Sequence, residues 1–494
     1  MTSMVNQPVD KDIDKNLDIL KGKLGVDVTY DVLVRDFSIG NRKAALMWID
    51  GFLKDEIISR VMTALMKMRR EDTVPNPIEK IMKTALNYTE VELVASLDDA
   101  MEKVMAGPAI LMIDGEVQII VLDTRTYPAR GPQEPDLERV IRGSRDGFIE
   151  TMVFNTALIR RRLRDPNLRF EMLSVGARSK TDVVIAYIDD IVNHDMVDRI
   201  RSRINDINVD GIPMAEKTIE EYIVDKNLWW NPYPTVRFSE RPDVTAVHLL
   251  EGHVVVIVDG SPSAMILPAT LFHHLQHAEE FREDVLVGTW FRWVRYVAVL
   301  FSWLGTPLWL ALALSPEVLP PALQFIGPRE TGAVPLVIQF LIADVAIDIL
   351  RIAMIHTPTA LATALGFIGA ILLGQIAVET GLFINETILF TVAAALGSFA
   401  TPSFEFGMAT RLWRLVLLVL VGLFRLPGLL AGVAANIVFV ALMKSFGVPY
   451  LWPLIPLDRK ALSSVLIRRP LPIRSFRASI LKPGDPDRAP KKEK

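Results

Sequence analysis

From Met1 to about Trp293 apolar and charged residues alternate as in a water-soluble fold, whereas Val294 to Met443 is apolar almost without interruption. In the first part, Ala45-Leu-Met-Trp-Ile-Asp-Gly51 is a buried-strand pattern closed by an acidic turn, followed by an amphipathic run from Asp55 to Met68. The same order returns in Val184-Ile-Ala-Tyr-Ile-Asp-Asp190 followed by Asp195 to Ile207, so each predicts a strand, a turn and a helix. Ile110 to Val121, turning at Asp114-Gly115, and Val247 to Val258, turning at Glu251-Gly252, each predict two strands around an acidic-Gly hairpin turn. The similar offsets between these pairs predict a tandem duplication.

The apolar part predicts spans of about 20 residues. Val294–Leu314 qualifies, with Trp290, Trp293 and Tyr296 as an aromatic belt at its start. Leu361–Leu382 and Glu386–Pro402 follow; Leu412–Met443 has room for two short spans around Arg425-Leu-Pro427, and Gly332–Leu350 is interrupted by Asp344 and Asp348. The expected class is therefore α/β tandem soluble subdomains followed by an α-helical polytopic membrane domain. Its expected parts are a first α/β subdomain (1–130), a basic helical linker (131–165), a second α/β subdomain (166–289), a membrane domain of four to six spans (290–443) and a basic tail (444–494). The opening residues lack the apolar core of an export signal, which predicts a cytoplasmic N-terminal half and, with the basic tail inside, an even number of spans. Arg351, Arg411 and Arg414 are expected on the inner side.

Charge sharpens this division. The 494 residues carry 23% charged side chains and a net charge of −4, with a mean hydropathy of +0.30, an average over unlike segments. A soluble surface needs more charge than 294–443 offers. No cysteine is present, which excludes disulfides, thiolate metal sites and thiol catalysis.

Carboxylates within an apolar helix are costly unless paired, protonated or wet, and so mark function. Asp344 and Asp348 share a helix face, and Arg351 is spaced to pair with Asp348; Gln375 and Glu379 share another face. In a symmetric oligomer these four would ring a cation path; alternatively they make interhelical hydrogen bonds or face water on an interfacial helix. The basic run containing Arg160, Arg161, Arg162 and Arg164 is open to three readings: a solvated face with salt bridges, contact with an anionic inner leaflet, or nucleic-acid phosphates. Without an aromatic platform the last is the weakest, and no nucleic-acid partner is expected.

His273, His274 and His277 lack a third zinc ligand at the usual spacing. No Gly-rich phosphate loop and no Gly-x-Ser-x-Gly elbow occurs. No enzyme and no cofactor is expected.

The chain resembles the A-subunit family of bacterial spore germinant receptors, the GerA family. The resemblance rests on Gly143-Ser-Arg-Asp-Gly-Phe-Ile-Glu150, Asn155 to Leu163, Ser174-Val-Gly-Ala-Arg-Ser-Lys-Thr181, Asp210-Gly-Ile212, Ile219-Glu-Glu221 and Glu240-Arg-Pro-Asp243. It continues through Leu250-Glu-Gly252, Val258-Asp-Gly-Ser-Pro262, Pro268-Ala-Thr270, Gly374-Gln-Ile-Ala-Val-Glu379, Ala400-Thr-Pro-Ser403 and Ser445-Phe-Gly-Val-Pro-Tyr450. The chain departs from the family where an acidic helix carries Gln339, Asp344 and Asp348, and where Arg351-Ile-Ala353 replaces Arg-Glu-Ala. Those departures, the short N-terminus and Leu451-Trp-Pro453 resemble the family's sporulation branch more than a receptor's own subunit.

The resemblance implies a protein of the spore inner membrane acting in germination. It further implies a homo-oligomer that forms an ion path gated through its cytoplasmic domains, working in the receptor branch with a transporter-like B subunit and a lipoprotein C subunit. A non-conducting scaffold or signalling subunit is the alternative. A solute carrier would need an inverted repeat, and none is visible.

Overall fold

The computed structural model describes residues 7–53, 55–86, 90–124, 138, 140–225, 230–330, 332–355, 369, 372–470 and 477–488. Two compact units emerge: one of Met1–Lys226, Phe238–Pro268 and Leu471–Lys494, the other of Asn227–Arg237 and Ala269–Pro470.

The first unit holds two five-stranded sheets with matching strand orders, β1-β2-β4-β5-β3 and β6-β7-β9-β10-β8. In the first, α1 (Ile13–Leu24) leads into the hairpin of β1 (Val32–Ile39) and β2 (Arg42–Ile49), then α2 (Asp55–Lys67), β3 (Glu90–Val94), α3 (Leu97–Met105) and the hairpin of β4 (Ala109–Ile113) and β5 (Ile119–Asp123). The second repeats this as α4 (Met152–Arg162), β6 (Leu168–Val175), β7 (Thr181–Ile188), α5 (His194–Asn205), α6 (Ala215–Ile223), β8 (Arg237–Ser239), α7 (Pro242–Glu251), β9 (Val254–Val258) and β10 (Ala264–Leu267). The duplication read from sequence is thus a duplication of topology.

The alternation along each strand explains the layers. Met47, Ile49, Ile110, Met112 and Val121 turn to one face of the first sheet and pack with α1 and α3. Leu46, Leu111, Ile113, Ile120 and Leu122 turn to the other and pack with α2. In the second sheet, Phe170, Val184, Ala186, Val255, Ile257 and Ile266 pack with Ile159 of α4 and Leu249 of α7.

One expected hairpin is corrected. Val247–Glu251 is the end of α7, and Gly252 is its left-handed C-cap (φ 96°), its N–H bonded to the carbonyls of His248 and Leu249. Pro at the helix start and Gly at its close specify this helix locally. The hairpin turn equivalent to Asp114-Gly115 is Asp259-Gly260, between β9 and β10. The tail also differs from a free basic extension: Arg477 Nε donates to the Leu250 carbonyl at 2.8 Å, and the Gly484 N–H to that of Ile191 at 2.9 Å.

The second unit is helical: α8 (Val285–Leu314), α9 (Leu336–Ile355), α10 (Asn385–Phe399), α11 (Phe404–Leu442) and α12 (Arg459–Leu466). Two of these, α8 with 30 residues and α11 with 39, are long and apolar enough to cross a membrane. Of the expected segment Leu361–Leu382, positions 361–368, 370 and 371 lie outside the described residues. α11 is broken at Arg425, whose backbone (φ 53°, ψ −137°) is non-helical. A Cβ at Gly428 would lie 2.2 Å from the Leu420 carbonyl oxygen, and one at Gly432 would lie 2.6 Å from Leu417 Cδ2. In a straight helix these pairs would stand about 12 and about 22 Å apart, so α11 doubles back at Arg425-Leu-Pro427, where the sequence placed the division between two short spans.

Candidate functional site

α9 carries polar residues at 339, 344, 348 and 351 along an otherwise apolar helix, and each is matched from a neighbouring helix. At one end the fully buried Gln339 accepts hydrogen bonds at Oε1 from the Ile384 N–H and the Thr387 hydroxyl, both at 3.0 Å. Its amide donates to the Val334 carbonyl at 2.7 Å. The Gln339 amide is a donor and acceptor at once, and both functions are used.

In the middle, Asp344 meets Arg414 of α11 in a forked pair: Nε to Oδ2 at 3.0 Å and Nη2 to Oδ1 at 2.8 Å. Both side chains are 1% exposed. Arg414 Nη1 continues to the Ser302 carbonyl of α8 at 2.7 Å, so one guanidinium ties α8, α9 and α11 together. One turn on, Asp348 meets Arg411 at 2.7 Å, and Arg411 also donates to the Asp344 carbonyl at 3.1 Å.

The expected pairing of Asp348 with Arg351 is not made. Arg351 donates instead to Met408 Sδ at 3.2 Å and to Ser398 Oγ at 3.3 Å, and its guanidinium lies over the rings of Phe399 and Phe404. Same-helix spacing made the local partner legible; Asp348 pairs instead with Arg411 of α11, whose 2% exposed guanidinium is a charge removed from water that this contact neutralises. Arg411 and Arg414 were read only as topology signals. Two arginines one turn apart opposite two aspartates one turn apart is the pattern that would have found them.

Gln375 and Glu379 do share a face: Gln375 Nε2 donates to Glu379 Oε1 at 2.9 Å, and both are exposed. The basic run is divided. Arg160 is buried, paired with Asp31 at 2.9 Å across the two sheets of the first unit, and also donates to the Leu168 carbonyl. It therefore faces neither lipid nor nucleic acid. Arg162 pairs with Asp146 at 2.6 Å, while Arg161 and Arg164 are exposed.

Around the start of α8, Glu280 is fully buried between Arg292 (2.7 Å) and Arg295, and Arg292 donates to the carbonyls of Ser464 and Val465, both at 2.8 Å. Sequence gave no sign of this hub, since Glu280 sits in an ordinary acidic stretch. Of the histidines, His273 Nδ1 accepts from the Thr270 N–H at 3.0 Å. His274 is buried with Nδ1 3.1 Å from Ser403 Oγ; burial, with Arg237 nearby, pushes its pKa down to about 3.

The Bacillus/Clostridium GerA spore germination protein family matches residues 18–480. Stage V sporulation protein AF of Bacillus subtilis is 45% identical over 476 residues, covering 96% of each chain, in agreement with the sporulation branch read from the sequence. The uncharacterized membrane protein YfkQ of the same organism is 28% identical over 94% of this chain and 90% of its own. Spore germination protein KA is 29% identical over 92% and 84%. The crystal structure of the N-terminal domain of the A subunit of the Bacillus megaterium spore germinant receptor GerK3 aligns with 54% of this chain and 98% of its own, with 28% identity and a TM-score of 0.43.

Proposed function

Because the chain belongs to the GerA spore germination protein family, we propose that it is a multi-pass subunit of the spore inner membrane that oligomerises and releases ions during germination, gated through its cytoplasmic sheet unit. Relatives named as spore germination proteins, and one named as a membrane protein, support the setting. The return of Arg477–Arg488 to the unit that holds the N-terminal sheets supports an even number of crossings, since both ends then lie on one side.

The observation that carries the reading is the contrast among the four expected path residues. Asp344 and Asp348 are consumed by Arg414 and Arg411, whereas Gln375 and Glu379 bond each other on an exposed surface. An exposed carboxylate beside apolar helices is costly in hydrocarbon. Repeated about a symmetry axis it becomes a polar ring facing water, which suits a cation path. The Asp–Arg pairs then hold α9 against α11 and set where that ring stands. Further copies of the chain and other germination membrane proteins are its partners in this reading.

Alanine at each of Asp344, Asp348, Gln375 and Glu379, with potassium efflux followed from germinating spores, tests it. Glu379→Ala and Gln375→Ala should change efflux at normal protein levels; unchanged efflux removes them from the path. The paired state of Asp344 and Asp348 favours a second reading, a non-conducting scaffold. It predicts silent planar bilayers together with capture of a membrane partner.

A further inference from the structure

We propose that Arg351, clamped between Phe399 and Phe404, is a docking point for the phosphate of an anionic phospholipid. The inference rests on the membrane reading above and concerns a different surface from the Gln375–Glu379 pair.

Three arginines meet two aspartates where α9, α10 and α11 converge. Arg414 has Asp344 and Arg411 has Asp348. Arg351 has no carboxylate within ion-pair distance among the described residues. Its acceptors are a thioether and a hydroxyl, both long and weak, and its buried Nε has none. Glu405, the residue after Phe404, accepts instead from Ser403 Oγ at 3.0 Å. The cluster is left with one uncompensated positive charge and an unused donor.

The surroundings select the anion. The guanidinium lies 5.1 Å from the Phe399 ring centre and 6.0 Å from that of Phe404, yet these rings are 61% and 50% exposed. Phe399 ends α10 and Phe404 begins α11, so the two rings over Arg351 mark helix ends, the depth at which headgroups and aromatic side chains meet. A planar guanidinium fork fits phosphate oxygens. The rings offer apolar contact to the acyl chains just below a headgroup and none to a free inorganic anion, which is why a lipid is the chosen occupant.

The full-length protein in neutral detergent is titrated with phosphatidylglycerol, phosphatidylcholine or inorganic phosphate, reading bound lipid phosphorus after washing and the thermal midpoint. Phosphatidylglycerol should be retained and raise the midpoint; the other two should do neither. Arg351→Gln should weaken retention roughly tenfold, the loss of a charge-assisted hydrogen bond, and Arg351→Lys should restore part of it. Phe399→Ala with Phe404→Ala, which leaves the polar partners of Arg351 in place, should also weaken retention and guards against misfolding of the Gln variant. Equal retention by Arg351→Gln, or an equal shift with inorganic phosphate alone, overturns the lipid site. A chain that stays in solution without detergent overturns the membrane reading instead, so the two failures are distinct.

Discussion

Asp344 and Arg414 lie 70 positions apart in sequence and share two hydrogen bonds of 2.8 and 3.0 Å with almost no access to solvent. Breaking a buried pair by removing one partner leaves the other charge stranded, at a cost of about 3–5 kcal/mol. Asp344→Leu and Arg414→Met should each lower the detergent-solubilised melting midpoint sharply. The double variant should recover much of the loss, since the stranded charge is gone. Simple addition of the two losses would mean that the pair is not coupled.

Arg160 and Arg164 separate a buried charge from an exposed one on neighbouring positions. Arg160→Met strands Asp31 between the two sheets and is expected to cost about 3–5 kcal/mol. Arg164→Ala should stay within about 0.5 kcal/mol. Urea titration with limited proteolysis of the sheet unit distinguishes them, and equal sensitivity would contradict the burial of Arg160.

His274 predicts acid sensitivity with a definite sign. Its folded pKa, about 3, lies below the value near 6.5 of an unfolded histidine, so the unfolded chain takes up its proton first. The stabilising contribution is whole above about pH 6.5 and is lost as pH falls from there toward about 3, at roughly 1.4 kcal/mol per pH unit. Replacing His274 with Gln should flatten that slope in thermal melts across pH 4 to 7; an unchanged slope would assign it to other groups.

The doubling back of α11 is directly testable because the chain has no cysteine. Leu417→Cys with Gly432→Cys should crosslink with a short bifunctional thiol reagent, whereas a straight helix would hold them about 22 Å apart. Gly428→Leu should prevent the close approach to the Leu420 carbonyl and abolish the crosslink without changing expression.

The sheets were legible because their strands read as continuous apolar runs bounded by acidic-Gly turns, a pattern that Ile110–Val121 states completely. Glu251-Gly252 wore the same turn signature, yet Pro242 and the left-handed Gly252 close a helix there, so identical dipeptides served different ends. Asp344 and Asp348 were visible as costly charges, but their partners were not. Spacing on one helix ranks Arg351 first, while the contact that forms depends on how α11 packs beside α9, a relation with no local signal. Arg160 misled for the same reason: clustering of arginines predicts exposure, and only the distant Asp31 shows why one of them is buried.

The order in which the two units are threaded has a consequence for synthesis. Since Leu471–Lys494 completes a unit that began at Met1, the ribosome delivers its last piece only after the entire helical unit has emerged. A chain halted or cleaved near Pro470 would lack the Arg477 and Gly484 donors and leave the Leu250 and Ile191 carbonyls without those hydrogen bonds.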